Sequence, residues 1–302
     1  MFYRLILIVF ILFTSCSNDD DSNICFELSD EIDDSFFLKQ TQRTSIKRLR
    51  FADSTEVQLP NQEKYNYFLH KNLVEQNSIL INRVDKDKLY KEYDYCILKI
   101  EKSTKYNVLD SICFKASLNE NSYIASISLS NDRTKIAIVY SDETLSDNDK
   151  CLLKIIDLNN DEIIFKYDHK ERLFLGETPW NLNDSKIIFY SSSKDIFVYD
   201  IEAEKISRIS INGSNAMWLQ SLDKISYLKK RNILTVYDLK TSTEEGSYKI
   251  SDKLFYRSNI VDYYWFMTQK KFYIKTRFSN LFSDKLFPWK NENFILKYKC
   301  LD

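Results

Sequence analysis

From about Lys64 onward, the chain alternates apolar and polar residues in short runs. The apolar positions are rich in Ile, Val, Tyr and Phe, and polar turns separate the runs at intervals of about 8 to 12 residues. A period of two places every second side chain on one face of a β-strand. Many short strands at regular spacing predict an all-β sandwich, a barrel or a propeller.

Internal repeats decide among these architectures. Three segments superimpose when a Lys-Ile pair is the landmark, and each continues into a strand that ends in aspartate. The isoleucines are Ile136, Ile187 and Ile225, and the aspartates are Asp157, Asp200 and Asp238. The aspartates recur after 43 and 38 residues. A four-stranded propeller blade repeats after roughly 40 residues, so the spacing favours a β-propeller.

These segments resemble TolB-type, or WD40-like, propeller repeats, whose pattern is aromatic-Ser-Pro-Asp-Gly-x-Lys-Ile followed by apolar-Tyr-Asp-apolar. The matching residues are Ser130, Asp132, Trp180, Lys135, Lys186, Lys224, Tyr199-Asp200 and Tyr237-Asp238. The chain departs from the pattern at the Pro slot (Asn131, Leu182, Gln220) and at the Gly slot (Arg133, Asp184, Leu222). Asn and Asp tolerate turn conformations, whereas Leu222 fits poorly if its position requires a positive φ. Recognisable repeats cover about Tyr123–Ser247.

Weaker copies flank the repeats. They are Ser78–Ile81 with Tyr95–Glu101, and Tyr263–Met267 with Phe272–Lys275. We expect a final strand, Phe294–Tyr298, to complete a blade begun near the N-terminus, which closes the ring and removes strand edges. About 270 residues at about 40 per blade predict six blades, within a range of five to seven. Residues 25–302 are therefore expected to form one all-β propeller domain.

The first 24 residues are expected to be an export signal and a tether. Leu5–Phe13 is an apolar run of nine residues, which spans roughly 14 Å as a helix and is too short to cross a bilayer. This pattern predicts a signal peptide over residues 1–15. Phe13–Cys16 resembles a bacterial lipobox, which implies that Cys16 is lipid-modified. An ordinary secretory signal is the alternative.

An acidic run, Ser17–Ser22, follows Cys16. It resembles the signal that sends some lipoproteins to the outer face of the outer membrane, and residues 16–24 also suit a solvated tether. We expect an outer membrane lipoprotein at the cell surface, with the periplasmic face as the alternative. The 43 basic and 44 acidic side chains give a net charge of -1, which provides no general basic field for nucleic acid.

Five further cysteines follow Cys16: Cys25, Cys96, Cys113, Cys151 and Cys300. An exported protein can form disulfides, and an odd number leaves at least one cysteine without a partner in the chain. The second and third lie on consecutive predicted strands, and a ring would bring the first and last together. The alternative is that all five are small buried apolar residues. The pairing stays open.

Few residues of the chain are suited to catalysis. The two histidines, His70 and His169, are 99 residues apart, and the chain has only three glycines. No G-x-S-x-G elbow, phosphate-binding loop or Cys-x-x-Cys pair is present. The sequence therefore assigns no catalytic, metal-ligating or cofactor-binding residue and predicts no cofactor.

Aromatic side chains are the candidate ligand contacts. Trp180 and Trp218 occupy equivalent positions at the head of an inner strand, and Tyr263–Phe266 is a run of four aromatics. Two side chains of that run are expected to point outward. Packing between blades is one role, and a stacking platform for a sugar or peptide is the other. On the second interpretation the contacts are Tyr264, Trp265, Trp180 and Trp218.

The sequence thus favours a membrane-anchored, non-enzymatic propeller that binds a protein or a glycan through loops on one face. Its expected partners are the membrane, through Cys16, and this unidentified ligand. A propeller enzyme acting on polysaccharide, as a lyase or hydrolase, is an alternative, and so is a structural subunit of an envelope complex.

Overall fold

The computed structural model describes residues 25–29, 46–51, 54–70, 78–85, 92–117, 122–142, 151–219, 223–250, 256–266, 270–280 and 290–300. Within these ranges the regular structure is 22 β-strands, with no helix. The expected signal peptide, Cys16 and the acidic tether lie outside them. No helix in the described ranges is long and apolar enough to cross a membrane.

Five four-stranded antiparallel sheets form the blades of a β-propeller. The chain begins with β1 (Phe26–Ser29) and a hairpin of β2 (Arg48–Arg50) and β3 (Glu56–Gln58). Blade 1 contains β4 (Tyr65–Leu69), β5 (Ser78–Asp85), β6 (Glu92–Glu101) and β7 (Val108–Ser117). Blade 2 contains β8 (Ser122–Leu129), β9 (Lys135–Asp142), β10 (Cys151–Asp157) and β11 (Glu162–His169). Blade 3 contains β12 (Leu173–Trp180), β13 (Lys186–Ser191), β14 (Asp195–Asp200) and β15 (Lys205–Asn212). Blade 4 contains β16 (Ser214–Trp218), β17 (Lys224–Lys229), β18 (Ile233–Asp238) and β19 (Thr243–Lys249). Blade 5 contains β20 (Tyr256–Phe266), β21 (Lys271–Asn280) and β22 (Lys290–Tyr298), and it takes β1 as its fourth strand.

Four apolar clusters in the described residues each contain strand residues from two consecutive blades, from blade 1 through to blade 5. Pairs that share one cluster are Ile97 and Ile138, Val139 and Phe189, Ile188 and Trp218, and Val236 and Phe272. Neighbouring residues of one strand, such as Ile138 and Val139, thus face opposite blades. Both faces of a blade are therefore buried, which is why the strands carry apolar residues at consecutive positions.

The expected number of blades, six, is wrong for the described residues, which form five four-stranded blades. Five lies within the range that the sequence allowed. The hairpin of β2 and β3 packs Leu49 and Val57 against Leu98, on the face of blade 1 opposite to blade 2. Blade 1 alone extends from residue 65 to residue 117. Division of the chain length by 40 overestimated the count because the segments between some strands are long.

The three repeats correspond to blades 2, 3 and 4 and hold equivalent registers. The landmark isoleucines pair across the sheet with the residues seven positions before them: Leu129 with Ile136, Trp180 with Ile187, and Trp218 with Ile225. Each landmark lysine pairs with the repeat's aspartate: Lys135 with Asp157, Lys186 with Asp200, and Lys224 with Asp238. The alignment of the repeats is therefore confirmed as structural equivalence.

The glycine slot of the repeat requires a left-handed backbone. Arg133 has a φ of 63° and Asp184 a φ of 56°, and only glycine adopts such values without strain. Leu222 lies outside the described residues. With three glycines in the chain, other residue types occupy these turns. Gly176 is needed for a different reason, because a Cβ there would lie 2.0 Å from the carbonyl oxygen of Ala216 on the neighbouring inner strand.

The two ends of the chain meet in blade 5. β1 pairs antiparallel with β22, with Phe26 opposite Tyr298, as expected for a blade shared between the termini. A disulfide joins Cys25 to Cys300 beside this pairing, with their Cα atoms 5.2 Å apart. A second disulfide joins Cys96 to Cys113, which are directly opposite on β6 and β7. Cys151 is buried and has no disulfide partner.

Candidate functional site

The four aromatic residues singled out from the sequence are buried. The exposed fraction is 3% for Trp180, 0% for Trp218, 2% for Tyr264 and 6% for Trp265. Trp180 packs in the cluster between blades 2 and 3, and Trp218 in the cluster between blades 3 and 4. These contacts correspond to the packing role. Ligand contact by the four residues stays a prediction.

The run of aromatics on β20 does alternate between faces. Tyr263 and Trp265 pack together in the cluster between blades 4 and 5, and Tyr264, on the opposite face, is also buried. The expectation that alternate residues point outward fails for Tyr264 because neither face of a blade is exposed to solvent at this depth. The side chain of Phe266 lies outside the described residues.

The histidines lie on different blades and make local contacts. Nδ1 of His70 donates to Oδ1 of Asn82 at 2.9 Å, and Nδ1 of His169 accepts from the backbone N–H of Glu171 at 3.1 Å. The described residues contain no group of three or more His, Cys, Asp or Glu side chains that could hold a metal ion. The acidic segment at residues 143–150 lies outside the described ranges.

A cleft of about 460 Å³ lies where blade 4 meets blade 5. Its polar lining consists of Ser214, Asn215, Arg231, Asn259 and Arg277, and its apolar lining of Leu228, Ile260 and Val261. This volume lies within the roughly 300–1,000 Å³ of small-molecule sites, which combine an apolar wall with a few placed polar groups. We take this cleft as the candidate functional site.

Irregularities in two inner strands form the walls of the cleft. The register of β16 shifts between Ser214 and Met217, and the register of β20 shifts between Ile260 and Asp262. Val261 is therefore the extra residue of a bulge, and 42% of it is exposed. Bulges redirect side chains and often lie next to binding sites.

Asn215 links three blades at the base of the cleft. Its φ of 53° is left-handed, a conformation that Asn adopts more readily than most residues. Its Oδ1 accepts from the Tyr190 hydroxyl of blade 3 at 2.7 Å, and its carbonyl accepts from the Tyr263 hydroxyl of blade 5 at 2.6 Å. The first bond orients the Asn215 side chain, and the second holds its backbone.

Arg231 lies in the three-residue turn between β17 and β18, where Lys230 and Arg231 both have a left-handed backbone. The turn is fixed to the neighbouring blade, because the N–H of Ile260 donates to the carbonyl of Arg231 at 2.7 Å. The N–H of Ile250 donates to the carbonyl of Asn232 at 2.9 Å. The backbone that carries the Arg231 side chain is therefore held on both sides.

Arg277 approaches the cleft from blade 5. It is paired with Asn259 across β20 and β21, and directly opposite residues of an antiparallel pair project from the same face. Both arginines are exposed, and the described residues that line the cleft include no Asp or Glu. An arginine guanidinium presents a planar fork of donors that matches a carboxylate or a phosphate. The arrangement can hold an anionic group beside neutral hydrogen-bonding side chains.

Sequence reasoning missed these residues. Arg231 and Arg277 lie on different blades, and only the packing of blade 4 on blade 5 brings them to one cleft. Arg231 follows Lys229 and Lys230 and looks like an ordinary basic turn. Arg277 falls within the alternating apolar and polar pattern that is ordinary for a strand. The sequence feature that could have pointed to the site is the position of Arg231, which comes two residues before the Ile233–Asp238 strand of a recognised repeat.

Comparisons with known proteins give little beyond the fold. No protein-family model matches the chain, and no curated protein matches it. Among solved structures, a chain in the crystal structure of a mitotic checkpoint complex is similar, with 16% identity and a TM-score of 0.43. The similarity covers 68% of this chain and 60% of that chain, so this chain spans less than two thirds of that chain's length. The propeller assignment rests on the five sheets and their registers.

Proposed function

We propose that the chain is an extracytoplasmic, membrane-anchored lipoprotein whose propeller is a non-enzymatic binding platform for a protein or a glycan. The observation that carries the binding function is the cleft between blades 4 and 5, where the paired backbone of two blades holds the lining side chains. A rigid backbone on both sides of the cleft lowers the entropic cost of ordering a binding site. The alternatives, an enzyme acting on polysaccharide and a structural envelope subunit, are favoured by no contact in the described residues.

The disulfides support the extracytoplasmic part of this proposal. Cys25–Cys300 and Cys96–Cys113 are both bonded, and such bonds persist in oxidising compartments outside the cytoplasm. Cys25, which forms the disulfide with Cys300, lies nine residues after Cys16. A lipid on Cys16 would tether the propeller through a short acidic segment.

Membrane fractionation and protease shaving of intact cells test the anchoring, with the native chain and Cys16→Ala compared. We expect the native chain in the membrane fraction and accessible to protease, and the variant to leave that fraction. Protection of a membrane-bound native chain would place it on the periplasmic side. An unchanged membrane fraction for Cys16→Ala would refute the lipid anchor.

Photo-crosslinking on cells tests the binding function. A photoreactive residue replaces Val261 in the cleft, and a matched one replaces Ile163 on β11, which is 54% exposed and lies on blade 2. We expect a discrete adduct from position 261 and none from position 163. Equal labelling from both positions would contradict a binding site in the cleft.

A further inference from the structure

We infer that the cleft between blades 4 and 5 binds an anionic sugar, with Arg231 and Arg277 holding its carboxylate or phosphate group. This inference rests on the proposed binding function and specifies the chemical class of the ligand. Arg231 and Arg277 both line this cleft, and none of the described residues that line it is an Asp or a Glu. Such a site attracts an anion and discriminates against a cation.

The hydrogen-bonding state of Arg231 supports an external anion. Its guanidinium makes no hydrogen bond or ion pair with another described residue, whereas Arg208, on β15, pairs with Asp195 at 2.6 Å. The carbonyl of Arg231 is meanwhile bonded to the N–H of Ile260. The backbone of this residue is therefore anchored while its charged group remains available for a ligand.

The neutral side chains favour a sugar over an acidic peptide. Asn259 and Ser214 line the cleft and make no side-chain hydrogen bond with another described residue, and Oδ1 of Asn215 is occupied by Tyr190. An amide and a hydroxyl can donate and accept at once, as the hydroxyl groups of a sugar ring do. An acidic peptide side chain would need only the arginines.

The apolar wall suits the C–H face of a sugar ring. Leu228 and Ile260 are 2% and 5% exposed, while Val261 is 42% exposed. The cleft volume of about 460 Å³ accommodates a sugar-sized ligand rather than a folded segment of a partner. Charge, neutral donors and an apolar wall thus converge on one ligand class.

Isothermal titration of the full chain in mild detergent tests the inference. The probes are glucuronate, glucose 6-phosphate, glucose and a glutamate-rich peptide. We expect one anionic sugar to bind at least tenfold more tightly than glucose, and its affinity to fall as sodium chloride rises. The comparison of glucuronate with glucose 6-phosphate distinguishes a carboxylate from a phosphate.

Variants assign the binding to the cleft. Arg231→Ala and Arg277→Ala are each expected to weaken the anionic sugar at least tenfold, and Arg231→Lys to weaken it less, because a lysine keeps the charge but loses the fork. Arg208→Ala removes another exposed arginine, on blade 3, and should leave the affinity unchanged. Circular dichroism confirms that each variant is folded.

Three results would overturn the inference. Glucose binding as tightly as the anionic sugars would show that the arginines do not select the ligand. Arginine-dependent binding that is tightest for the peptide would assign the cleft to a protein partner. Failure of both anionic sugars to bind would reject an anionic sugar as the ligand of the cleft. In each case the crosslink from position 261 shows separately whether the binding function survives.

Discussion

The carboxylate of Asp184 on blade 3 binds both the backbone and the side chain of Asn131 on blade 2. Its Oδ1 accepts from the N–H of Asn131 at 2.9 Å and from the Nδ2 group at 2.7 Å, and its Oδ2 accepts from the N–H of Asp132 at 2.8 Å. Asp184 is 3% exposed. The turns of two neighbouring repeats are therefore joined at the Pro and Gly slots where the chain departs from its repeat pattern.

Replacing Asp184 with Asn tests this connection between the turns. Asn keeps the size and tolerates the left-handed backbone, but its amide cannot accept all three hydrogen bonds. Because buried bonds to a charged group are lost, we expect the free energy of unfolding to fall by about 1–3 kcal/mol. Guanidinium denaturation measures this change.

Asp161→Asn is the matched control for that substitution. Asp161 also has a left-handed backbone, with a φ of 58°, but it is exposed in the turn between β10 and β11. Its replacement should change the stability by less than about 0.5 kcal/mol. Equal losses from the two substitutions would mean that the bonds across the blades contribute nothing.

The disulfide between the two ends of the chain gives a second prediction. The disulfide between Cys25 and Cys300 spans 275 residues of sequence, and the one between Cys96 and Cys113 spans 17. On the chain-entropy model, a crosslink across a longer loop restricts the unfolded chain more. On this model we expect the double Ala variant of the first pair to lose about 5–6 kcal/mol and that of the second pair about 3 kcal/mol.

Chemical denaturation of the two double variants, without reductant, measures the difference. Each variant keeps the other disulfide, so each is the control for the other. A larger loss of unfolding free energy from the Cys96 and Cys113 variant would contradict the prediction that the crosslink between the chain ends contributes more stability. Size-exclusion chromatography before denaturation excludes association as the cause.

Asp132 gives a third prediction, on acid stability. Burial raises the pKa of its carboxyl, but hydrogen bonds from Ser130 and Thr134 and the charge of Lys135 outweigh that effect and lower the pKa to about 2. Because the folded pKa lies below the ordinary carboxyl value of 3.8, this group stabilises the folded state above pH 3.8. This contribution is lost as the pH falls from about 4 to about 2.

The measurement is the unfolding free energy of the native chain and of Asp132→Asn between pH 6 and pH 2. We expect the variant to be less stable at pH 6 and the difference to shrink as the pH approaches 2. Because the side chain is 46% exposed, solvent screens the effect and the difference should be small. A difference that is independent of pH would contradict the lowered pKa.

The sequence predicted the repeat and its register but not the number of blades or the site. The lysine and aspartate landmarks pair across the strands as expected because register depends on local alternation, which the sequence contains. The hairpin of β2 and β3 was not predicted. The number of blades was overestimated because long segments between some strands make the actual repeat longer than 40 residues. The cleft was missed because Arg231 and Arg277 meet only through the packing of two blades, which alternation along either strand does not encode.

The burial of Trp218 leads to the last prediction, which separates packing from ligand contact. Trp218 is fully buried between blades 3 and 4, opposite Ile225 on β17. If the ring serves only packing, Trp218→Ala should lower the free energy of unfolding by about 3–5 kcal/mol.

Trp218→Phe refines this test, because Nε1 of Trp218 is buried and has no hydrogen-bond partner among the described residues. The substitution loses ring volume but removes an N–H whose burial is unfavourable, so it should cost less than about 1.5 kcal/mol. Urea denaturation of both variants measures the two changes. A Trp218→Ala protein that keeps its stability but loses crosslinking from position 261 would instead favour the stacking role that the sequence also allowed. The two variants distinguish the roles. A ligand contact needs an aromatic face, which Trp218→Phe retains, whereas packing needs side-chain volume, which Trp218→Ala lacks.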